Sequence, residues 1–271
     1  MKNILSSPFL KEFVRTASNM YRLGYDERNG GNISMLVEYD EYKDFVPEKP
    51  VRTLPLFFDA KDLAGKAFLV TGTGKYFKNI ELNPEINLGL IRISEDGLNA
   101  ELLWGLIDGS RPTSELPSHL MSHIARLKVN PNNKIVMHCH PGNLISMTLV
   151  EDLDEKSFTK LIWKANTECI VVFPEGIAVL PWILCGTNEI GEVTAEKMKD
   201  FRVVVWANHG IFAVGDNLDE AFGLVETIEK TAQIYLTAKP FGIKNTISDC
   251  QLKQLVKFFK LEKSVKEGWL E

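Results

Sequence analysis

The chain has 271 residues, of which 45% are hydrophobic and 25% charged, and its formal net charge at pH 7 is −5. This composition is typical of a globular protein and excludes a disordered chain. The acidic balance disfavours sequence-independent nucleic-acid binding, because no net basic field is available to neutralise phosphates. Residues 135–150 are the longest stretch without a charged side chain. That stretch is shorter than the ~18 residues of a membrane-spanning helix, so we expect no membrane segment.

Cysteine usage and the N-terminal segment both favour a reducing compartment. The segment MKNILSSPFLKEF lacks the uninterrupted apolar run of a signal peptide. The cysteines are Cys139, Cys169, Cys185 and Cys250, which are widely spaced and form no CxxC pair. We therefore expect reduced thiols and a cytoplasmic protein.

Helical and strand-like patterns alternate along the chain, without an internal repeat or a change of composition that would mark a domain boundary. Hydrophobic periodicity predicts helices at 8–24, 114–130, 142–151, 156–166, 187–201, 216–239 and 249–260. It predicts strands at 32–39, 68–72, 90–93, 100–104, 135–140, 169–173, 203–206 and 211–214. Residues 40–55 are interpreted as a loop or hairpin, and the Lys-rich residues after Leu261 as a solvated helix end. We expect one α/β domain over residues 1–271, with helices packed on a central sheet.

Three of the five histidines lie where a metal ion could be bound. His138 and His140 are two apart in a predicted strand, so both imidazoles project from the same face and can reach one divalent ion. The same spacing also occurs on solvated strand faces. His209 follows a buried strand and precedes a glycine, and sites collect at such strand ends in helix-covered sheets. Three histidines with an open fourth position are typical of a catalytic zinc site.

His119 and His123 are four apart on a predicted helix, which is also chelating geometry. His123 lies beside the apolar stripe formed by Leu120 and Ile124, and the HExxH arrangement is absent. We therefore interpret both histidines as structural, or as supporting the site from outside the ligand set.

Two glutamates are candidate acid–base groups. Glu115 lies in the first turn of the helix opened by Thr113 and Ser114, where free backbone N–H groups and the helix dipole favour an anion. It is either a general acid or base beside a metal, or a simple helix-start charge. Glu168 heads the predicted strand 169–173 and carries the same ambiguity.

Two glycine-bearing loops are candidate anion sites. The loop Asn29-Gly30-Gly31-Asn32 can expose consecutive backbone N–H groups and two side-chain amides. The loop from Thr71 to Lys75 (TGTGK) follows a strand and adds hydroxyl groups and a cation. It has neither the Walker A spacing nor a dinucleotide-binding fingerprint. Tight turns use the same residue types, so neither loop is specific by itself.

The ordered set of motifs resembles the zinc-dependent class II aldolase/epimerase family. The motifs are DERNGGNIS (26–34), TGTGK (71–75), TSELPSH (113–119), MHCH (137–140), TEC (167–169) and NHG (208–210). The resemblance extends from residue 1 to about residue 258, with the motifs in the order and at the spacing of the family. The segment TSELPSH, the MHCH strand and the chain length favour an aldolase within it.

The resemblance implies a three-layer α/β/α domain with a central mixed, largely antiparallel β-sheet. It also implies a role for each matching residue. Three histidines match the zinc ligands, Glu115 matches the catalytic acid/base, and Glu168 matches a carboxylate that reaches an active site at a subunit interface. The ligands are His138, His140 and His209; the substrate-phosphate residues are Asn29, Gly31, Asn32, Thr73, Gly74, Thr113 and Ser114. Relatives often carry Ser where this chain has Thr73, so the extra methyl group would tighten that loop.

The resemblance further implies one Zn²⁺ per subunit, a phosphorylated ketose as substrate, retro-aldol cleavage, and a homotetramer with active sites near subunit interfaces. The alternatives on the same scaffold are fuculose-phosphate aldolase and ribulose-phosphate 4-epimerase. A third is a metal-free binding module like the adducin head, which the joint presence of the three histidines and Glu115 disfavours.

Overall fold

The computed structural model describes residues 1–270 and contains one nine-stranded sheet with the strand order β2-β5-β4-β3-β1-β6-β9-β8-β7. Every neighbouring pair is antiparallel except β7 and β8, which are parallel, so the predicted mixed and largely antiparallel sheet is confirmed. The strands are β1 (Asn32–Val37), β2 (Arg52–Pro55), β3 (Ala67–Thr71), β4 (Leu88–Ile93), β5 (Asn99–Gly105), β6 (Ile135–Cys139), β7 (Ala178–Leu180), β8 (Val203–Trp206) and β9 (Gly210–Gly215).

The seven predicted helices are all present, with ends that differ by a few residues. The helices are α1 (Pro8–Arg22), α2 (Tyr39–Tyr42), α3 (Pro84–Asn87), α4 (Leu116–Val129), α5 (Gly142–Val150), α6 (Glu155–Ala165), α7 (Thr167–Val172), α8 (Asn188–Met198), α9 (Leu218–Ala238) and α10 (Asp249–Phe258). Within residues 1–270, none of them combines the length and the apolar character that crossing a bilayer requires.

Apolar side chains cover both faces of the sheet. Consecutive residues of a strand point to opposite faces, and in β1 Met35 and Leu36 accordingly belong to two different apolar clusters. Met35 packs in the cluster that contains Phe13 of α1 and Ile228 of α9, whereas Leu36 packs in the cluster that contains Leu120 of α4. Helices therefore lie on both faces, in agreement with the expected three layers.

The predicted strand at 169–173 is wrong, because these residues form most of helix α7. The side chain of Asn166 caps this helix by accepting a hydrogen bond from the Glu168 N–H group, and Cys169 and Ile170 are buried. A short run of β-branched and apolar residues fits a buried helix as well as a buried strand, and packing against neighbouring helices decides between them. Glu168 thus lies in the first turn of a helix instead of heading a strand.

The segment 40–55 is more ordered than the predicted loop or hairpin. Residues Tyr39–Tyr42 form the single-turn helix α2, and Arg52–Pro55 form the edge strand β2. β2 pairs with β5, which is distant in the sequence, so no local sequence pattern predicts this pairing.

The residues after Leu261 are not the predicted solvated helix end. Helix α10 ends at Phe258, and the following turns bring Trp269 and Leu270 into the core. The Trp269 ring lies 5.9 Å from that of Trp163 and 6.2 Å from that of Phe201, between ring centroids. The fit is so close that a Cβ atom on Gly176 would lie 2.3 Å from the Trp269 ring. Two apolar side chains among lysines were too weak a pattern to reveal this contact.

We expect Trp269→Ala to lower the free energy of unfolding by about 3 kcal/mol, because it removes a large buried side chain and leaves a cavity. Trp182→Ala is the matched control, since Trp182 is 66% exposed and Trp269 only 9%. Chemical denaturation of both variants measures the difference. Equal stability of the two variants would contradict the packed position of Trp269.

Candidate metal centre

The candidate site lies along one edge of the sheet. Strand β1 begins at this edge, and its antiparallel neighbours β3 and β6 end there. Strand β9 begins opposite the end of β6, so the β8–β9 turn lies at the same edge. The pairing of β1 with β6 puts Asn32 opposite His138. Strand directions alone therefore bring together loops that are far apart in the sequence.

His138, His140 and His209 come together at this edge. Their candidate ligand atoms all lie within 4.8 Å of one another, and the Nε2 atoms of His138 and His140 are 3.2 Å apart. His138 is buried in β6, and His140 follows the last residue of that strand. His209 lies in the β8–β9 turn, which is formed with Asn208 at a positive φ of 62°. Asparagine is one of the few non-glycine residues that adopt this conformation readily.

The hydrogen bonds of these imidazoles suit a cation between them. The Nδ1–H group of His138 donates to the Ile211 carbonyl oxygen at 3.0 Å, and that of His140 donates to the Glu27 carboxylate at 3.0 Å. Both Nε2 atoms then carry lone pairs that face each other. Hydrogen bonds to carbonyl or carboxylate oxygens commonly orient metal-bound histidines in this way. The donor set therefore fits a divalent metal ion held by three imidazoles.

Burial keeps His138 and His209 in the neutral form that binds metals. Burial and the neighbouring imidazoles lower the pKa of His138 well below its usual value. The same two causes lower the pKa of His209 to about 4. Because metal ions bind imidazole only in its unprotonated form, neither ligand would have to lose a proton near neutral pH.

Glu115 lies directly beside the cluster. It is the N-cap residue of α4, one position before the predicted first turn, and it is buried. Its carboxylate oxygens lie 3.5 Å from Nε2 of His138 and 3.9 Å from Nε2 of His209. Burial raises the pKa of the Glu115 carboxyl group, and a hydrogen bond from Asn32 opposes that increase. A carboxyl group so placed can take up or release a proton next to a bound metal ion.

A buried chain of hydrogen bonds orients this carboxylate. Asn32 Nδ2 donates to Glu115 Oε2 at 2.8 Å, and Asn32 Oδ1 is bonded to Nε2 of His119. Ser34 Oγ lies 2.7 Å from Nδ1 of His119 and 2.8 Å from Nε2 of His123. The two helix histidines thus reach the site only through Ser34 and Asn32, in agreement with a supporting role outside the ligand set.

The Asn32 amide determines which group donates in each of these hydrogen bonds. Since its NH₂ group donates to the carboxylate, its oxygen must accept from Nε2–H of His119, whose Nδ1 then accepts from the hydroxyl group of Ser34. The Ser34 oxygen in turn accepts from Nε2–H of His123. Burial lowers the pKa of both histidines to about 3, so each is neutral, as this pattern requires.

The predicted loop from Asn29 to Asn32 lies against His140, one of the candidate metal ligands. Gly31 has a φ of 75°, and a Cβ atom there would lie 1.7 Å from a carboxylate oxygen of Asp26. A Cβ atom on Gly30 would lie 2.7 Å from Nδ1 of His140. Only glycine fits at these two positions, since one needs a left-handed backbone and both lack space. The side chain of Asn29 is exposed at the outer end of the loop.

The other predicted anion-binding residues lie in two loops that are hydrogen-bonded to each other. Thr73 N–H donates to the Arg111 carbonyl oxygen at 2.8 Å, and Thr113 N–H donates to that of Thr71 at 2.9 Å, which joins residues 71–74 to residues 111–114. This pairing also carries Gly74 and Ser114 toward the same edge. The ammonium group of Lys75 forms an ion pair with Asp108, so it is already engaged by a carboxylate.

Glu168 is a predicted site residue that has no bond to the histidine cluster in the described residues. It is exposed in α7, and its backbone N–H group is bonded to Asn166. Across residues 1–270, no hydrogen bond or ion pair joins it to the histidine cluster.

Two residues near the site were not singled out as candidates from the sequence. Glu27 accepts the hydrogen bond from His140, and its pKa is lowered by that contact although partial burial acts in the opposite direction. Cys185 has its Sγ atom within 4.8 Å of a Glu115 carboxylate oxygen and of a His209 nitrogen. Glu27 lies inside the motif DERNGGNIS, which was a usable signal, whereas nothing in the local sequence connects Cys185 with the site.

The chain belongs to the class II aldolase and adducin family. The family profile, described as the class II aldolase and adducin N-terminal domain, matches residues 11–236. The expected family, which rested on six short motifs, is thereby confirmed.

Individual relatives are similar over nearly the whole chain. A rhamnulose-1-phosphate aldolase from Listeria monocytogenes is 54% identical, with 99% of this chain and 98% of the relative covered. A rhamnulose-1-phosphate aldolase from Enterococcus faecalis is 52% identical, with 99% and 96% covered. The crystal structure of a sugar-phosphate aldolase from Thermotoga maritima is 30% identical and superimposes with a TM-score of 0.76, covering 87% of this chain and 97% of that one.

We expect Glu27→Ala to weaken divalent-metal binding about tenfold, because loss of the partner of a metal-binding histidine typically costs 10–100-fold in affinity. Glu95→Ala is the control, since Glu95 is exposed after β4 at the opposite edge of the sheet. Competition with a chelator of known affinity measures both variants. An unchanged affinity in Glu27→Ala would remove Glu27 from the metal centre.

Proposed function

We propose that this chain catalyses the retro-aldol cleavage of L-rhamnulose 1-phosphate to dihydroxyacetone phosphate and L-lactaldehyde, a step of L-rhamnose degradation. The observation that carries the proposal is the joint presence of the three-histidine cluster and Glu115 in a chain 54% and 52% identical to two rhamnulose-1-phosphate aldolases over nearly their full lengths. The segments TSELPSH and MHCH favour the same activity.

The metal would be one Zn²⁺ per subunit, held by His138, His140 and His209. Three imidazoles with an open coordination position are the ligand set of catalytic zinc. When bound, the ion would supply Lewis-acid stabilisation of the negative charge that develops on the substrate oxygens as the C3–C4 bond breaks.

Glu115 is proposed to move the proton at the substrate carbon that becomes the hydroxymethyl group of dihydroxyacetone phosphate. Its buried position favours the protonated form, and the hydrogen bond from Asn32 favours the ionised form. These opposing influences suit a group that has to change its protonation state during turnover. The chain of hydrogen bonds through His119 and Ser34 holds the Asn32 amide, and with it the carboxylate, in place.

The two loop systems are proposed to hold the substrate phosphate. Backbone N–H groups, side-chain amides and hydroxyl groups can bind a phosphate without adding net charge. The proposed residues are Asn29, Gly31, Asn32, Thr73, Gly74, Thr113 and Ser114.

We also propose a homotetramer with active sites near subunit interfaces, in which the exposed Glu168 side chain is available to a neighbouring subunit. Because no hydrogen bond or ion pair within residues 1–270 joins Glu168 to the histidine cluster, we assign its role to the site of a neighbouring subunit. We propose that it acts there as a second catalytic carboxylate.

A coupled assay for dihydroxyacetone phosphate tests the proposed substrate. We expect the specific activity with L-rhamnulose 1-phosphate to exceed that with L-fuculose 1-phosphate at least tenfold, and no dihydroxyacetone phosphate to be released from ribulose 5-phosphate. A preference for L-fuculose 1-phosphate in this assay, or epimerisation of ribulose 5-phosphate in a separate assay, would assign a different activity to this scaffold.

A Glu115 variant and removal of the metal test whether the measured cleavage takes place at the candidate site. Glu115→Gln should lower kcat by about 10²–10⁴-fold, the usual contribution of a general acid or base, while bound metal remains unchanged. Full turnover by Glu115→Gln with metal bound would reject the acid–base role. Undiminished cleavage after removal of the metal with EDTA would reject the metal-dependent mechanism.

A further inference from the structure

A cavity of about 320 Å³ adjoins the two hydrogen-bonded loops that carry proposed phosphate-binding residues. Three of those residues, Thr73, Thr113 and Ser114, line it. Apolar side chains of residues 54–58, in and after the edge strand β2, form another part of its wall. Arg111 also lines this cavity, although none of the sequence motifs includes it.

The backbone of Arg111 is held beside the loop that carries Thr73. Thr73 N–H donates to the Arg111 carbonyl oxygen at 2.8 Å, and Gly72 and Pro112 face each other in an isolated antiparallel bridge. Alternate residues of a paired, extended segment project to the same side. The side chains of Arg111 and Thr113 therefore leave the backbone on the same side, in agreement with their shared cavity.

A second arginine fixes the turn that precedes Arg111. Arg52, in β2, donates to the Gly109 carbonyl oxygen at 2.7 Å and to that of Leu106 at 3.3 Å. It is also bonded to the Ser110 carbonyl oxygen. These bonds hold the turn against the edge strand, so the Arg111 side chain extends from a fixed point of the backbone.

Arg111 differs from other cations near the site in its lack of a partner. The ammonium group of Lys75 is paired with Asp108, and the guanidinium group of Arg52 is bonded to backbone carbonyl groups. Among residues 1–270, no ion pair and no side-chain hydrogen bond engages the guanidinium group of Arg111, which is exposed. Arg28 is exposed as well, but it does not line the cavity.

An unpaired guanidinium group in this cavity suits a phosphate. Its planar N–H donors match two phosphate oxygens at once, and it remains charged at neutral pH. The residues already proposed to hold the phosphate carry no charge, and the chain as a whole has a net charge of −5. A cation beside them therefore supplies an attraction that the overall field does not provide.

We propose that Arg111 binds the substrate phosphate together with Thr73, Thr113 and Ser114, an inference that rests on the proposed sugar-phosphate activity. The guanidinium group donates two hydrogen bonds to phosphate oxygens, and no covalent bond forms or breaks. Because the phosphate is unchanged in the proposed cleavage, this contact is equally strong before and during bond breaking. Arg111 therefore lowers KM for a phosphorylated ketose and leaves kcat nearly unaffected.

Titration of the purified full-length chain with inorganic phosphate, followed by calorimetry at low ionic strength, tests the proposal without a sugar. We expect saturable binding by the wild type and about fivefold weaker binding by Arg111→Gln, which loses a charge-assisted contact. Arg111→Lys should lie between them, because lysine keeps the charge but not the planar donors. Raising the salt concentration to about 0.5 M should reduce the difference between wild type and Arg111→Gln, since salt screens an exposed charge.

Arg15→Gln is the matched control for the loss of one positive charge. Arg15 is paired with Asp219, which follows β9 at the opposite edge of the sheet. This variant should bind phosphate as the wild type does.

Steady-state kinetics with L-rhamnulose 1-phosphate connect phosphate binding to the substrate. We expect Arg111→Gln to raise KM about fivefold and to change kcat by less than about twofold. Three outcomes of the titration would overturn the proposal: no saturable binding by the wild type, equal affinities of wild type and Arg111→Gln, or an equal loss in Arg15→Gln. A lower kcat with an unchanged KM would also overturn it. The titration does not depend on which ketose phosphate is cleaved, so its failure is distinguishable from failure of the proposed aldolase activity.

Discussion

The antiparallel pairing of β1 with β6 is the constraint on which the rest of the site depends. It puts Asn32 opposite His138, so one pair of strands positions both a proposed metal ligand and the residue that is hydrogen-bonded to Glu115. The same strand β1 carries Ser34, which connects the helix histidines to Asn32. A shift of one residue in the register of β1 would turn each of its side chains to the opposite face of the sheet. Asn32 would then lose its contact with Glu115, and Ser34 its contacts with the helix histidines. Such a shift is unfavourable, because it would move Ile33, Met35 and Val37 out of their apolar cluster and turn the polar side chains of Asn32 and Ser34 into it.

The acidic net charge places a second demand on the site. A chain of charge −5 does not attract a sugar phosphate by its overall field, so attraction has to be local. Lys75 is an obvious candidate in the sequence, but its ammonium group is engaged by Asp108. In the proposed function, phosphate binding would therefore depend on backbone N–H groups, amides and hydroxyl groups beside the charge of a bound metal. Gly30 and Gly31 permit this arrangement, since larger residues would collide with His140 and Asp26.

Much of this architecture could be predicted from the sequence, because its signals are local. The two-residue spacing of His138 and His140 fixes a shared face, and a buried strand before His209 fixes its position at a strand end. Helix α7 could not be distinguished from a strand, because its apolar run satisfies either structure and only tertiary packing decides. The burial of Trp269 and the position of Cys185 depend on contacts between segments that are distant in the sequence. Such contacts produce no hydrophobic periodicity from which they could be predicted.

The central claim is that three imidazoles at one edge of the sheet hold a divalent metal ion next to Glu115. Anomalous X-ray scattering from crystals of the zinc-loaded protein, collected on both sides of the zinc absorption edge, tests it most directly. The account predicts one strong peak per chain at about 2.0–2.1 Å from a ring nitrogen of each of His138, His140 and His209. A peak elsewhere on the chain, or no peak from protein that binds zinc stoichiometrically in solution, would contradict the account.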